Sequence, residues 1–246
     1  MILPVRIVRL SLETVWSTLR RGIRARPFVE HIADAGVGSL FFIAVTLGFV
    51  GVIAVYQAAE QMKRVLPEFS LLGAASIQLL VREFAPIITG LMVATKVGTG
   101  LAAEVGSMVV TDQVDAMRLC GADPLEELVV PRVWGTVVAM VALSALGGVV
   151  ALAAGIHVAW VAFDVPADTF LSGRFVRMSD LWVGLTKAMV FGFSIPVVSI
   201  ACGLDAKGGS DAVGEATTRA VVWSSFSVIL LDLVVGVAVE VFGWSV

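Results

Sequence analysis

The chain has 246 residues, 58% of them hydrophobic and only 15% charged, with a mean hydropathy of +0.96; a soluble domain carries roughly 25% charged residues. A net charge of −3 supplies no basic excess with which to hold nucleic acid, so that partner class is excluded. What remains is a chain built to be embedded in a membrane.

The first ten residues contain no short apolar core closing on a small-residue cleavage site, so no removable signal peptide is expected. From Val5 to Ile23 the apolar residues Val5, Val8, Leu12, Val15, Trp16, Leu19 and Ile23 fall on one stripe at ~100° per residue. Arg6, Arg9, Glu13, Ser17, Arg20 and Arg24 share the other side. Residues 1–30 therefore read as an amphipathic helix lying along a membrane surface with its arginines toward anionic headgroups. A helix packed on a soluble partner is the alternative.

Five membrane spans follow, at 35–59, 71–110, 133–163, 181–204 and 220–243. Each is long enough to cross ~30 Å of hydrocarbon at ~1.5 Å per residue. The expected fold is thus an all-α integral membrane protein, a single domain over 1–246 with an interfacial helix and five transmembrane helices. The second span is interrupted by Arg82, Glu83, Lys96 and Glu104, the fourth holds Lys187 and the fifth Asp232. With the N-terminus in the cytoplasm, the segments on that side carry ten Lys and Arg residues against four on the other. Positive loops stay inside, so the C-terminus is expected outside and the loops 111–130 and 205–218 inside.

Gly90, Ala94, Gly98, Ala102 and Gly106 recur every four residues along the second span, a row that lets another helix approach closely. That helix belongs either to the same chain or to a second copy. Pro86 denies the carbonyl of Arg82 its helical hydrogen bond, so a kink or break is expected beside Arg82 and Glu83. These two charges either line a watery cavity that receives a headgroup or form ion pairs to other helices. Lys96 and Glu104 share a helix face and are expected to bond to neighbouring helices. Asp232 needs a basic partner on another helix, or else acts as a proton-relay acid.

In the loop after the second span, Thr111 can cap a short helix. Asp112 and Asp115 suit its first turn, Arg118 its end, and Gly121 its closure. Asp123 and Pro124, followed by Glu126 and Glu127, start a second helix. Two short helices in a loop between spans are expected to offer a docking surface, with solvated cytoplasmic helices as the alternative. No Gly-Lys-Ser/Thr phosphate loop, nucleophile elbow or zinc spacing occurs, so no catalytic site, metal or cofactor is expected in this chain. The Gly98-x-Gly100-x-x-Ala103 match to a dinucleotide fingerprint lies inside an apolar helix without a preceding strand and carries no weight. Cys120 and Cys202 are expected to be buried thiols.

The runs Val81-Arg-Glu-Phe-Ala-Pro-Ile-Ile-Thr-Gly90, Ala94-Thr-Lys-Val-Gly-Thr-Gly-Leu-Ala-Ala-Glu-Val-Gly106 and Thr111-Asp-Gln-Val-Asp-Ala-Met117 resemble the MlaE/YrbE family of ABC-transporter permeases. Asp123-Pro124-Leu125, Pro131-Arg132, Gly203-Leu-Asp-Ala206 and Ala216-Thr-Thr-Arg-Ala-Val-Val222 do so too. The resemblance implies a homodimer in the inner membrane, a cytoplasmic ATPase that holds ATP and Mg, and a periplasmic MCE-domain protein to or from which lipids, phospholipids by default, are passed. It implies that Thr111, Asp112, Gln113, Asp115, Met117, Arg118, Asp123 and Pro124 couple to the ATPase. It implies a lipid cavity at the dimer interface matched here by Ala54, Gln57, Gln61, Met62, Val65, Arg82 and Glu83. Where the family commonly has Ala-Gly-Arg-x-Gly, this chain has Ala94-Thr95-Lys96-Val97-Gly98, which keeps the charge but loses bidentate pairing. A secondary transporter relaying protons through Asp232, Glu83 and Glu104, and a non-transport scaffold, are the competing classes.

Overall fold

A computed structural model describes residues 3–65, 72–171 and 178–241, and these contain helices and turns but no strand. The helices are α1 (Leu3–Arg21), α2 (Ala25–Val65), α3 (Leu72–Val110), α4 (Gln113–Leu119), α5 (Leu125–Phe163), α6 (Ala167–Phe170), α7 (Met178–Gly203) and α8 (Ser210–Val241). Among the described residues, α2, α3, α5, α7 and α8 are long and apolar enough to cross a membrane. Four of them begin before the expected spans, since their polar or charged first turns are helical too: α2 begins ten residues before 35, α5 eight before 133, α7 three before 181 and α8 ten before 220. Leu71, Phe242 and Gly243, at the expected limits of the second and fifth spans, lie outside the described residues.

The interfacial helix is shorter than the expected 1–30. Gly22 adopts φ +78°, the left-handed conformation that glycine takes without a Cβ penalty, and this ends α1. Residues 25–30 belong to α2. The apolar stripe of α1 is exposed, Leu12 at 67% and Leu19 at 78%, while Leu10, Thr14 and Ser17 are buried. That is the arrangement a helix lying on a membrane requires. Arg6 is half-buried, whereas Arg9, Arg20 and Arg21 of this helix and Arg24 just beyond it are exposed. Arg6 contacts Asp205, Arg9 pairs with Glu13 at 2.6 Å, and Arg21 and Arg24 each reach a carboxylate at 2.6 Å, Glu126 and Glu127 respectively. Acids of the same chain thus pair with four of these arginines. Burial pulls the Arg6 guanidinium below its ordinary pKa.

The helices contribute to two compact units. The first comprises Met1–Ser39, Gly90–Met140 and Met189–Leu231; the second comprises Leu40–Thr89, Val141–Ala188 and Asp232–Val246. Within the first, the small-residue row of α3 packs inside the chain. A Cβ on Gly98 would lie 2.9 Å from Ser199 Oγ, and one on Gly106 would lie 3.4 Å from the Ala206 Cβ. Ala102 is fully buried with Val198, Cys202 and Ala220. Residues spaced by four drift ~40° per step around an uninterrupted α-helix. A wider π-helical turn over Ala94–Gly98 takes up that drift and keeps the row on one face. Cys202 is buried as expected, whereas Cys120, at the exposed end of α4, is not.

Two further π turns stand where prolines require them. Leu79–Phe84 precedes Pro86 and Leu125–Val129 precedes Pro131. The Ala85 N–H donates to the carbonyl of Leu80 and the Val130 N–H to that of Leu125, each five residues back. The wider turn makes room for the ring that would otherwise meet the carbonyl four residues earlier. The break expected at Arg82 is therefore a bulge in a continuous helix.

Candidate functional site

The segment between α3 and α5 differs in detail from its expected form. Thr111 Oγ1 donates to the Ser107 carbonyl at 2.8 Å and so closes α3 instead of capping α4. Asp112, at φ +58°, occupies the N-cap position of α4 without a side-chain capping bond. Arg118 pairs with Asp115 at 2.8 Å. At the far end the Ala122 N–H donates to the Met117 carbonyl and the Gly121 N–H to that of Arg118, both at 3.0 Å, which is a Schellman closure with Gly121 at φ +77°. Asp123 Oδ1 then accepts the Leu125 N–H at 3.0 Å, with Pro124 at the first helical position. The expected second short helix is in fact the first turns of α5. α4 is thus joined to the 39-residue α5 through two well-closed helix ends. The ion pairs from Arg21 and Arg24 seat α1 on those same first turns, at Glu126 and Glu127.

In the second unit, α2 and α3 enclose an apolar groove of about 450 Å³. Val50, Ile53, Ala54, Gln57, Ala58 and Gln61 line one wall; Leu79 and Phe84, the two ends of a π turn, line the other. Ala54, Gln57 and Gln61 share a face because they are three and four residues apart. The groove is apolar along its length and polar only at two neutral amides. Met62, one residue past Gln61, lies off the lining, and the side chain of Val65 lies outside the described residues.

Arg82 and Glu83, expected at the same site, point elsewhere. The Arg82 guanidinium lies 3.6 Å from buried Asp180 and 3.4 Å from Glu83. Glu83 contacts the ammonium of Lys187, whose other partner is Asp232 at 2.9 Å. The Lys187 side chain is only 1% exposed, so this is an intramembrane network of two cations and three carboxylates linking α3, α7 and α8. Between the two meanings left open for Arg82 and Glu83, the geometry is that of ion pairs. Asp232 has its basic partner on another helix.

Glu104 pairs with Arg132 in the first unit, while Glu83 and Asp232 meet in the second. The three acids do not gather at one relay centre. The Lys96 ammonium lies against Gly38, where a Cβ would be 2.6 Å away; the missing side chain on α2 is what admits it. Asp180, Lys187, Leu79 and Phe84 were not singled out from the sequence. The single cation inside an apolar span was the available signal for Lys187, and its need for acids pointed to Glu83 and Asp232. The groove walls carried no such signal, since an apolar residue facing a groove reads like one facing lipid.

Comparison with known proteins adds identity to this geometry. The family model described as Permease MlaE matches residues 28–238. A probable ABC transporter permease of Rickettsia bellii is 33% identical over 227 residues, covering 92% of this chain and 87% of its own. One from Synechocystis sp. is 33% identical and one from Pyropia yezoensis 32%, each covering 86% of this chain and 81% of its own.

Proposed function

This chain belongs to the MlaE permease family of ABC transporters; on that premise we propose that it forms the homodimeric inner-membrane subunit of an ATP-driven phospholipid transporter. A cytoplasmic ATPase supplies ATP and Mg, and a periplasmic MCE-domain protein exchanges lipid with the permease. The N-terminus and α4 lie in the cytoplasm and the C-terminus in the periplasm. The observation that carries the substrate class is the groove of Ala54, Gln57 and Gln61, an apolar trough with neutral amides that suits acyl chains.

In this mechanism the ATPase seats on α4 and moves it with the first turns of α5. α3, which leads into α4, shifts in response. Leu79 and Phe84 then change the width of the groove, and the lipid is released or captured. No bond is made or broken by this chain.

Co-purification of the ATPase and stimulation of its activity by phospholipid test the reading. Ala54→Trp is expected to fill the groove and lower bound phospholipid roughly ten-fold, a ~1.4 kcal/mol effect, with ATPase co-elution unchanged. Equal lipid retention in that variant, measured by mass spectrometry, would remove the groove from the mechanism. Replacing Asp115 and Met117 together should instead lower ATPase co-elution and leave bound lipid as it was. Unchanged co-elution would show that α4 is not the docking element.

A further inference from the structure

In the first unit, the polar residues that α3 carries within its membrane-crossing length are answered by the fold with one exception. Thr95 Oγ1 donates to the Met92 carbonyl at 2.8 Å and Thr99 Oγ1 to that of Lys96 at 2.9 Å, so their own helix satisfies both hydroxyls. Glu104 is paired with Arg132 at 2.5 Å. Lys96 is exposed and makes no ion pair among the described residues. It lies ~20 Å from the nearer end of α3, at Val110. A lysine at such depth escapes hydrocarbon by snorkelling toward a helix end. Here the Cα–Cβ bonds of α3 lean toward its N-terminus, away from the nearer end. The ammonium lies instead across α2 at Gly38, and the same direction keeps it from lipid phosphates at the closer membrane surface.

The neighbouring helix carries the opposite charge. Asp34 is exposed one turn before Gly38, on the same face of α2, and likewise makes no ion pair among the described residues. His31, a turn earlier, spends its Nε2 on Thr136 Oγ1 at 3.0 Å. Asp34 and Lys96 do not meet within the chain because the side chains of α2 also lean toward its N-terminus, which turns the carboxylate away from Gly38. An unanswered acid and an unanswered base thus stand on adjacent exposed helices, about one helical turn apart in depth.

We propose that this face is an interface between two copies of the chain, with Lys96 of each copy paired to Asp34 of the other. The inference rests on the homodimer of the proposed function and assigns its contact within the first unit. Two chains inserted alike in one membrane are related by a two-fold axis along its normal, which puts equal residues at equal depth. Lys96 then meets the other copy's α2 at the level of Gly38, where no side chain stands in its way. Asp34 of that copy lies one turn, ~5.4 Å, farther along the helix, within reach of a four-carbon stem. The symmetry forms the pair twice and leaves no charge of this face in lipid.

The test uses two full-length variants with different tags, Lys96→Glu and Asp34→Lys, with their association read by native mass spectrometry after mild detergent extraction. Each alone sets like charges across the interface and should lower the dimer association constant at least roughly ten-fold. Expressed together, they should form the hybrid dimer well above its random proportion, because both cross-pairs then join opposite charges. A pair made within one chain would give no such rescue, since each variant still holds two like charges of its own. The rescue also shows that both variants fold. Random mixing beside a parent that stays dimeric overturns the proposal and leaves the homodimer standing, whereas a monomeric parent overturns both. Phospholipid lost from Lys96→Met with its dimer intact overturns the proposal as well and gives the cation to a lipid phosphate.

Discussion

Lys187→Met is expected to destabilise the protein by about 3 kcal/mol, near the lower end of the cost of breaking a buried ion pair. The methionine matches the lysine in length and fills its space, so packing is nearly preserved. What is lost is the ammonium between Glu83 and Asp232; Asp232 then stays in a water-poor interior without a cation, and Glu83 keeps only Arg82 at 3.4 Å. The lower end of the range applies because Glu83 and Asp232 keep side-chain exposures of 35% and 21%. Thermal unfolding in a fixed detergent reads the loss. Combining Lys187→Met with Glu83→Gln and Asp232→Asn should recover most of it, since a neutral trio removes the unpaired charges along with the pair. A Lys187→Met protein as stable as the parent would mean that water reaches this network freely.

The position of the network gives this substitution a functional consequence as well. Glu83 belongs to the π turn whose ends, Leu79 and Phe84, form one wall of the groove. Lys187 and Asp232 hold one side of that turn and Asp180 holds Arg82 beside it. The charges that resembled a headgroup site are then the support of its wall. In the neutral trio, stability returns but the turn is less firmly placed, so bound phospholipid should fall even where unfolding temperature does not.

The sequence announced the elements whose signal is local. Five long apolar runs, the stripe of α1, the Asp123-Pro124 helix start and Gly121 as a terminator could each be read from a few neighbouring residues. Details that depend on a distant partner could not. Thr111 has the chemistry of an N-cap, but a backbone carbonyl one turn earlier was the nearer acceptor. The arginines of α1 looked like headgroup ligands because Asp205, Glu126 and Glu127 lie far away in sequence. Periodicity recognised the small row on α3 without identifying what packs on it, and prolines marked where π turns were needed without revealing that the helix would widen instead of breaking. For the groove, Ala54, Gln57 and Gln61 came from family resemblance alone; their helical spacing explains why they share a wall, while Arg82 and Glu83 lie in ion pairs beside it, with partners distant in sequence.

One close approach between two long helices escaped notice in the sequence and is expected to be among the least tolerant positions in the second unit. Gly147, Ala151 and Gly155 repeat every four residues on α5 and meet Leu47, Gly51 and Val55 on α2. A Cβ on Gly51 would lie 2.1 Å from the Ala151 carbonyl oxygen and 2.8 Å from its Cα, both backbone atoms. They can give way only if two long helices separate by more than ~1 Å, which forfeits contacts along the whole crossing. Gly51→Ala should therefore cost at least the ~3 kcal/mol at the top of the usual overpacking range. Gly155→Ala meets first a methyl of Val55, at 2.7 Å, which a rotamer change can move, and should cost less. Gly100→Ala meets nothing within 4 Å and should be neutral or gain up to ~1 kcal/mol from alanine's better helix propensity. Because Val50, Ile53 and Ala54 flank Gly51 on the same helix, its replacement should also widen the groove and release bound phospholipid, whereas Gly100→Ala should retain it. Unfolding and lipid retention measured on all three variants test the ordering, and a Gly51→Ala protein that matched Gly100→Ala in both would show that α2 and α5 do not cross at this distance.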